Sequence, residues 1–423
     1  MVVLVAGMKP STTYHMRARI TNVDGSTTLD PDRTFQTGAL NAANFPVIKV
    51  MGDTSAGRGI ELLNMPALPG SLPGDRVQSF ATDMEGNIIW YYEHNAFEGS
   101  VFPAKLLSNG HMLLNISDYG TRSVFREVDL LGRTIREIGK EELNRRLVPF
   151  KIQFTYLHHD MLALPNGHFI IFGEEFRQIK GLTGFDGDVT VEGDNITDLD
   201  ENFNPVWTWS TFDHLDMNRH PMLFPSDWTH GNALVYTPDG NLLVSLRHQH
   251  WIIKIDYANG TGTGNVIWKL GNEGDFTLTN GTTQDWFFAQ HSPTLISTNG
   301  SKMTLAIFDN GNNRPNTSGV PCGPGGDPCY NRGTIFTLDE ATHTATLDWQ
   351  FKPGMFAPWG GTAQQVSNGN VNLALPAPIN VDGSRVFEVT RSGTPQVVWE
   401  MDVSIPLTYR AERIPSLYPG VTW

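Results

Sequence analysis

Three of the thirteen histidines in this chain fall where chemistry would need them. His159 lies eight residues before the glycine of the turn Asn166-Gly167, His230 ten before that of Asp239-Gly240, and His291 nine before that of Asn299-Gly300. A single histidine of this kind is ordinarily a core or turn residue. Three at one position of a repeat are a set, and imidazole is the side chain that serves near neutral pH as base, nucleophile or ligand. A cation joins them. In a hairpin centred near Asp239, residue 230 faces about residue 248, so Ser245-Leu246-Arg247-His248-Gln249 returns to the level of His230. The planar fork of Arg247 suits an oxyanion such as sulfate or phosphate; the alternative is a structural arginine bonded to loop carbonyls. Phe308-Asp309-Asn310-Gly311-Asn312-Asn313-Arg314 returns beside His291 and offers amides and a second cation. Glu174 and Glu175 return beside His159, either to orient its tautomer or to lie in solvent. His111 and His168 sit in hairpin turns and read as structural.

Other chemistries fit less well. Zinc would accept three convergent histidines, but an arginine among the ligands penalises a cation, so neither a metal nor a cofactor is expected. The chain has no G-x-S-x-G elbow and no Gly-rich phosphate loop ahead of a helix, which argues against serine hydrolysis and nucleotide donors. A net charge of −14 and the lack of a basic block argue against a nucleic-acid partner. No apolar run approaches the ~20 residues of a membrane span.

The elements that must position the histidines form a repeat. Apolar residues, an N-G or D-G turn and apolar residues again recur at Leu106–Leu114, Leu162–Ile171 and Val235–Val244, with looser copies at Leu295–Leu305 and Ala363–Leu373. These are β-hairpins. A second hairpin in each unit closes on tryptophan: Trp90, Trp207, Trp268, Trp349 and Trp399. Two hairpins recurring every ~45–70 residues make a four-stranded propeller blade. The outer hairpin at about Val77–Tyr92 has no inner hairpin before it, and Tyr409–Ile414 can supply the missing strand. The expectation is an all-β chain with a six-bladed β-propeller over residues 45–423. The histidine strands would then start at the mouth of its central channel. Abundant Gly (42) and Pro (26) with only 17% charged residues agree with short strands and tight turns.

Residues 1–40 read differently. Gly7–Ile20 alternates after a Pro turn with Tyr14 at its start, the pattern of a tyrosine corner, and Arg33–Gly38 follows a turn. This stretch resembles the final strands of a fibronectin type III β-sandwich, with about half of the module missing. Either the chain begins inside it or a partner chain completes the sheet, as in a homodimer through this segment. Residues 39–46 would link it to the propeller. Met1–Gly7 lacks the charged region and cleavage site of a signal peptide. Cys322 and Cys329 flank a short Gly/Pro loop that would let their sulfurs meet; a disulfide and two free thiols both fit. The N-x-S/T sequons at Asn115, Asn195, Asn259, Asn280, Asn299 and Asn316 are near chance expectation.

The motifs His158-His159-Asp160, Asp227-Trp228-Thr229-His230-Gly231-Asn232, Ser245-Leu246-Arg247-His248-Gln249, Gln290-His291-Ser292-Pro293 and Phe308-Asp309-Asn310-Gly311 span about 150 residues. In order and spacing they resemble the bacterial arylsulfate sulfotransferases, which use a phenolic sulfate instead of phosphoadenosine phosphosulfate. That resemblance implies a six-bladed propeller behind a β-sandwich. It implies ping-pong transfer of a sulfuryl group from a phenolic sulfate ester to a phenol, with His291 as the nucleophile that becomes sulfohistidine. His159, His230, Asn232 and Arg247 would hold the sulfuryl oxygens, and a histidine would carry the phenol proton. Between His158 and His159, strand phase decides which faces inward, and the match of Asp160 selects His159. Tyr156, Trp228, Phe288 and His248 flank the motifs as candidates to hold the substrate, with core packing as the alternative for the aromatics. A periplasmic or secreted location is also implied. The chemistry is consistent: sulfuryl transfer, like phosphoryl transfer, has a loose transition state that gains from positioning and charge stabilisation. Two other readings stand beside this one: a non-catalytic propeller that binds glycans or proteins at its mouth, and a sulfate-ester hydrolase that uses the same site with water.

Overall fold

The computed structural model describes residues 4–53, 57–64, 77–93, 99–118, 122–323, 327–404 and 408–418. Six antiparallel sheets form the propeller. Blade 2 runs Ser100–Leu106, Met112–Ser117, Ser123–Val128 and Thr134–Gly139; blade 3 runs Leu157–Ala163, Phe169–Lys180, Asp188–Leu199 and Pro205–Ser210. Blade 4 is Gly231–Tyr236, Leu242–Leu246, Trp251–Ile255 and Val266–Gly271. Blade 5 is His291–Asn299, Lys302–Asp309, Arg332–Asp339 and Thr344–Phe351, with Thr277–Leu278 added in parallel at its edge. Blade 6 is Thr362–Gln365, Val371–Leu375, Ser384–Val389 and Val397–Val403, and Ile48–Gly52 pairs onto its outer edge. The first strand of each of these blades begins at the channel.

Blade 1 closes the ring. Ile60–Asn64, Val77–Thr82 and Ile88–Glu93 supply three strands, and the C-terminal Arg410–Ile414 supplies the innermost, in register from Arg410 opposite Asn64 to Ile414 opposite Ile60. An unpaired inner edge would be open to other chains; here the chain's own end covers it. The closing strand is also locked by side chains. The buried Arg413 bonds Glu61 of blade 1 through Nε and Glu388 of blade 6 at 2.6 Å, and its backbone N–H donates to Gln364 Oε1 at 2.9 Å.

The tryptophans that end the outer hairpins join blade to blade. Each indole is buried and its N–H donates to the following blade: Trp90 to Leu130 O at 3.1 Å, Trp268 to Glu340 Oε1 at 2.7 Å, Trp349 to Thr390 O at 3.3 Å, and Trp399 to Met84 O at 3.0 Å. In blade 3 the role falls to Trp209, whose Nε1 donates to Gly264 O at 2.8 Å. Trp207, the residue singled out in the sequence, packs edge-on against Tyr257 of blade 4 with ring centroids 5.0 Å apart. Blade 2 has no such tryptophan. Arg136 stands in its place, bonding Glu201 O and lying 4.9 Å from the rings of both Phe169 and Phe203 in blade 3.

The propeller expectation therefore holds, including its closure. The N-terminal segment is a smaller object than a sandwich: Thr13–Met16 pairs with Arg33–Gln36, and Arg19–Thr21 with Thr27–Leu29, with their residues largely exposed. Tyr14 does accept a backbone hydrogen bond, from Lys9 N at 2.7 Å, and stacks on Phe35. Lys9 ties the arm to blade 1 through Asp83 and Glu85. Residues 1–3 of the apolar start lie outside the described residues. Cys322 and Cys329 form a disulfide.

Candidate active site

Three successive blades break their ladder at the channel mouth. In blade 3 the paired residues jump from His158 to Met161, in blade 4 from Gly231 to Ala233, and in blade 5 from His291 to Thr294. At each break a non-glycine residue takes the left-handed conformation: His159 (φ 51°), His230 (φ 50°) and Ser292 (φ 46°). Each such residue costs roughly 1–3 kcal/mol. Bulges of this kind re-aim side chains. The result is clearest at His158-His159-Asp160, where three consecutive residues go three ways.

His159 enters the channel mouth. Its ring lies 4.6 Å from that of His230 and 5.1 Å from Phe102 of blade 2, centroid to centroid. Tyr409, at the start of the closing strand, sits 5.9 Å from His159, 5.8 Å from His291 and 4.2 Å from Phe102. Arg247 bonds Pro358 O at 3.0 Å and the Nε2 of His248, and leaves its buried Nε without a partner. Its charge acts directly on both His291 and Tyr409. The structure thus brings His159, His230, Arg247 and His291 together at one largely enclosed place: His159 and His291 flank the Tyr409 ring, His230 lies against His159, and Arg247 acts on His291. Each blade contributes: Tyr409, Phe102, His159, His230, His291 and, from blade 6, Gly360, whose N–H points at His291 Nε2 at 3.2 Å.

The hydrogen bonds fix the tautomers. Asn310 donates its amide to Ala357 O and Gly360 O, both at 3.0 Å, so its Oδ1 accepts from His291 Nδ1 at 2.7 Å. The lone pair of His291 is then on Nε2. His230 gives its Nδ1–H to Asp227 Oδ2 at 2.7 Å, and His248 gives its own to Asp227 O at 2.6 Å. Burial drives His291 and His159 well below the usual imidazole range, helped by Arg247 for His291 and by His230 for His159. Both are neutral at pH 7. Burial, followed by the charge of His230, likewise brings His158 down to about 3. Burial pushes the Asp227 carboxyl up, yet His230, His248 and Arg247 together outweigh it and hold the carboxyl at about 2.

The remaining sequence candidates have other posts. Asn232 donates its amide to Gln290 O at 2.7 Å and accepts nothing on its buried Oδ1, so it links blades 4 and 5 behind the histidines. Trp228 is buried against Phe212 with its N–H on Arg219 O, and Phe288 packs on His250 and under Arg314. Tyr156 lies 6.0 Å from the His158 ring, beside Glu174, and burial followed by that carboxylate raises its pKa. His248 stacks beside His230 at 4.6 Å. Arg314 is spent on Asp309 rather than on the mouth. Glu175 bonds Arg177 and Ser210, while Glu174 faces Glu192, and burial with that like charge raises its pKa; neither orients His159. His111 and His168 bond Glu127 and Asp198 within their blades, as turn residues do.

Sequence reasoning missed Tyr409, Phe102, Gly360 and Arg410. The closing strand carried a readable signal, since Tyr409-Arg410 begins the one inner strand supplied from the far end of the chain. Arg410 bonds Asp160 Oδ1 at 3.2 Å and Asn232 O at 2.6 Å, and Lys105 meets the same Asp160 at 2.5 Å. Among the described residues, Asp227, His230 and His248 are the group whose ligand atoms come within 4.8 Å of one another. Each is committed to a hydrogen bond, and the Arg247 guanidinium adjoins them.

The family model described as arylsulfotransferase (ASST) matches residues 72–410. The chain belongs to that family. Among curated proteins none matches. Solved structures resemble it at low identity: a protein from Lactobacillus plantarum (12% identity, 84% of this chain and 99% of that one, TM-score 0.46) and a 6-phosphogluconolactonase-like protein from Bacteroides fragilis (11%, 86% and 100%, TM-score 0.43). A streptogramin B lyase aligns at 11% identity over 86% of this chain and all of the other, with a TM-score of 0.37. Family membership makes the chain an aryl sulfotransferase in the broad sense and fits small-molecule substrates. Among its described residues no helix is long and apolar enough to cross a membrane.

Proposed function

We propose that this arylsulfotransferase moves a sulfuryl group from a phenolic sulfate ester to a phenol in two steps, through a sulfohistidine at His291. The observation that carries the reading is the state of that side chain: neutral, with Nδ1–H held by Asn310 and the Nε2 lone pair facing the Gly360 N–H, in a buried site under the charge of Arg247. In the first step Nε2 attacks sulfur, the N–S bond forms, the S–O(aryl) bond breaks, and the phenolate departs. In the second, the oxygen of an acceptor phenol attacks sulfur as its proton passes to a base. The N–S electron pair then returns to Nε2. Charge on the transferred group is met by Arg247 and His230, and the Gly360 N–H, which donates to His291 Nε2 before attack, is freed for a sulfuryl oxygen as the N–S bond forms. Phe102 and Tyr409 supply the aromatic surface for the ring, in place of Trp228 and Phe288.

The reading extends to the setting of the enzyme. The Cys322–Cys329 disulfide favours an exported, periplasmic or secreted protein. The N-terminal arm is read as the end of a fibronectin type III-like module, whose exposed strands offer a partner chain an edge for a homodimer.

Incubation with 4-nitrophenyl sulfate, with and without phenol, tests the function. Nitrophenol release that continues only with phenol is the expected result. Equal release without phenol would mean hydrolysis, and no release would leave a binding module. Donor alone should add about 80 Da, one sulfuryl group, to the peptide holding His291 when digestion is kept at neutral or basic pH.

A further inference from the structure

His158 is a buried titratable group that the two steps above do not use. Its ring stacks on Phe172 at 5.3 Å, and its Nδ1 lies 2.9 Å from His159 Nδ1. One of those two nitrogens must carry the proton. The surroundings of the other His158 nitrogen decide which. Nε2 is buried 3.3 Å from Asp194 Oδ1, short of an aligned hydrogen bond, and the backbone carbonyls of Gly173 and Gly231 are the further polar neighbours of the ring. All of these are acceptors. Asp194 is itself held as an acceptor: its Oδ2 takes the Thr229 hydroxyl and the Gly231 N–H, the latter at 2.8 Å. The His158 proton therefore belongs on Nε2, and its Nδ1 presents a lone pair to His159. His159 must then donate from Nδ1, which leaves the His159 Nε2 lone pair as its second functional atom.

We propose that Asp194 and His158 are positioning residues that hold His159 in the tautomer of a general base, so that His159 Nε2 removes the proton of the acceptor phenol. The assignment rests on the two-step reading and concerns only its second step. As the acceptor oxygen bonds to sulfur, its proton passes to His159 Nε2, the N–S bond to His291 breaks, and the transient imidazolium is shared along His159–His158 toward Asp194. In the next turnover the proton leaves to the departing phenolate or to water. The first step with a good leaving group needs no such base. That asymmetry makes the proposal testable, much as replacing a triad carboxylate by its amide keeps geometry but gives the wrong tautomer.

The experiment uses the full chain and measures the half-reactions separately. Asp194→Asn should retain the nitrophenol burst from 4-nitrophenyl sulfate within a few-fold. Transfer to phenols that are un-ionised at the assay pH should fall by about 10²–10³-fold, the range of a lost general base. The loss should shrink steadily as the acceptor becomes more acidic and arrives already ionised. Since Asp194→Asn perturbs a buried group, a second pair is made. His158→Asn places an amide oxygen where Nδ1 was and should keep transfer within about tenfold, whereas His158→Leu offers no acceptor and should lose as much as Asp194→Asn. Equal losses in both half-reactions, a loss independent of acceptor acidity, or His158→Leu matching His158→Asn would overturn the assignment. Failure of the wild type to give a burst would instead overturn the sulfohistidine itself.

Discussion

At the rim the blades resemble one another, and at the mouth they do not. Five outer strands carry a buried indole whose N–H reaches into the next blade, and the sixth uses Arg136 in the same place. At the mouth the six contributions are Tyr409, Phe102, His159, His230, His291 and the Gly360 amide, with no two neighbouring chemistries interchangeable except the histidines. Left-handed non-glycine backbone occurs in both places, in outer turns at Phe203 and His343 and beside the broken ladders of the mouth at His159, His230 and Ser292. Repetition marks what the fold needs, and departure from it marks what the reaction needs. If that division is real, substitutions should separate cleanly into those that change rate and those that change stability.

His291→Ala makes the sharpest cut. Donor cleavage and transfer should both fall on the order of 10⁴–10⁶-fold, as for loss of other catalytic nucleophiles, with the melting temperature nearly unmoved. Near-normal turnover, or the sulfuryl label on His159 or His230, would move the nucleophile elsewhere. Trp399→Ala should do the reverse. It empties a fully buried site between blades 6 and 1 and frees the carbonyl of Met84, costing about 3–5 kcal/mol in denaturant unfolding. The kcat of the folded fraction should stay within about twofold if rim and mouth are independent; a parallel collapse of both would show that they are coupled.

Arg247→Ala comes next in size. It leaves the nucleophile in place and removes the cation that adjoins it, so kcat/KM should drop by about 10²–10³-fold, with little change in KM for the donor if the charge is met mainly in the transition state. Lysine is not a substitute here, because the bonds to Pro358 O and His248 use two arms of a planar fork.

The rim was legible from the sequence because turn glycines and indoles recur at fixed places, and the closing strand was legible because one hairpin lacked a partner. The three histidines and Arg247 were legible for the same reason: they ride on the repeat. What the sequence hid depends on bulges. A bulge shifts strand phase by a residue, so Glu174 and Glu175, which hairpin symmetry brings beside His159, attend to Glu192 and Arg177 instead. Asp194, two strands out, reaches inward to His158. Trp228 and Phe288 look like mouth residues by proximity to the motifs, yet they point into the blades. Tyr409 was passed over as a site residue, although the strand it opens was legible, because it comes from the far end of the chain, outside the repeat's order. The fibronectin-like start rested on one tyrosine pattern, and the arm carries that local hydrogen bond with two separate two-stranded ladders whose residues are largely exposed.

The smallest effect expected is also the most direct test that the mouth gives up stability. Two of its aspartates are shifted in opposite directions. Asp227, at about 2 against an ordinary 3.8, is held down by His230, His248 and Arg247 together despite its burial; its contribution is present above pH 3.8 and is lost as the pH falls toward 2. Asp194 is pushed up to about 6, chiefly by burial, with the Thr229 and Gly231 hydrogen bonds only partly opposing. Between pH 3.8 and 6 the unfolded chain releases this proton while the folded one keeps it, so the unfolded state binds fewer protons and stability must fall as the pH rises. The total is about 3 kcal/mol at neutral pH, from a rise from 3.8 to about 6 at about 1.36 kcal/mol per unit. Denaturant unfolding of the wild type and of Asp194→Asn across pH 4–7 isolates the term, because groups common to both proteins cancel. The variant should lose the downward slope and gain on the wild type by about that amount as the pH rises, while its acceptor step is the one that suffers. A slope unchanged by the substitution would mean that Asp194 is ionised in the folded state throughout. The mouth would then cost the fold only its strained backbone.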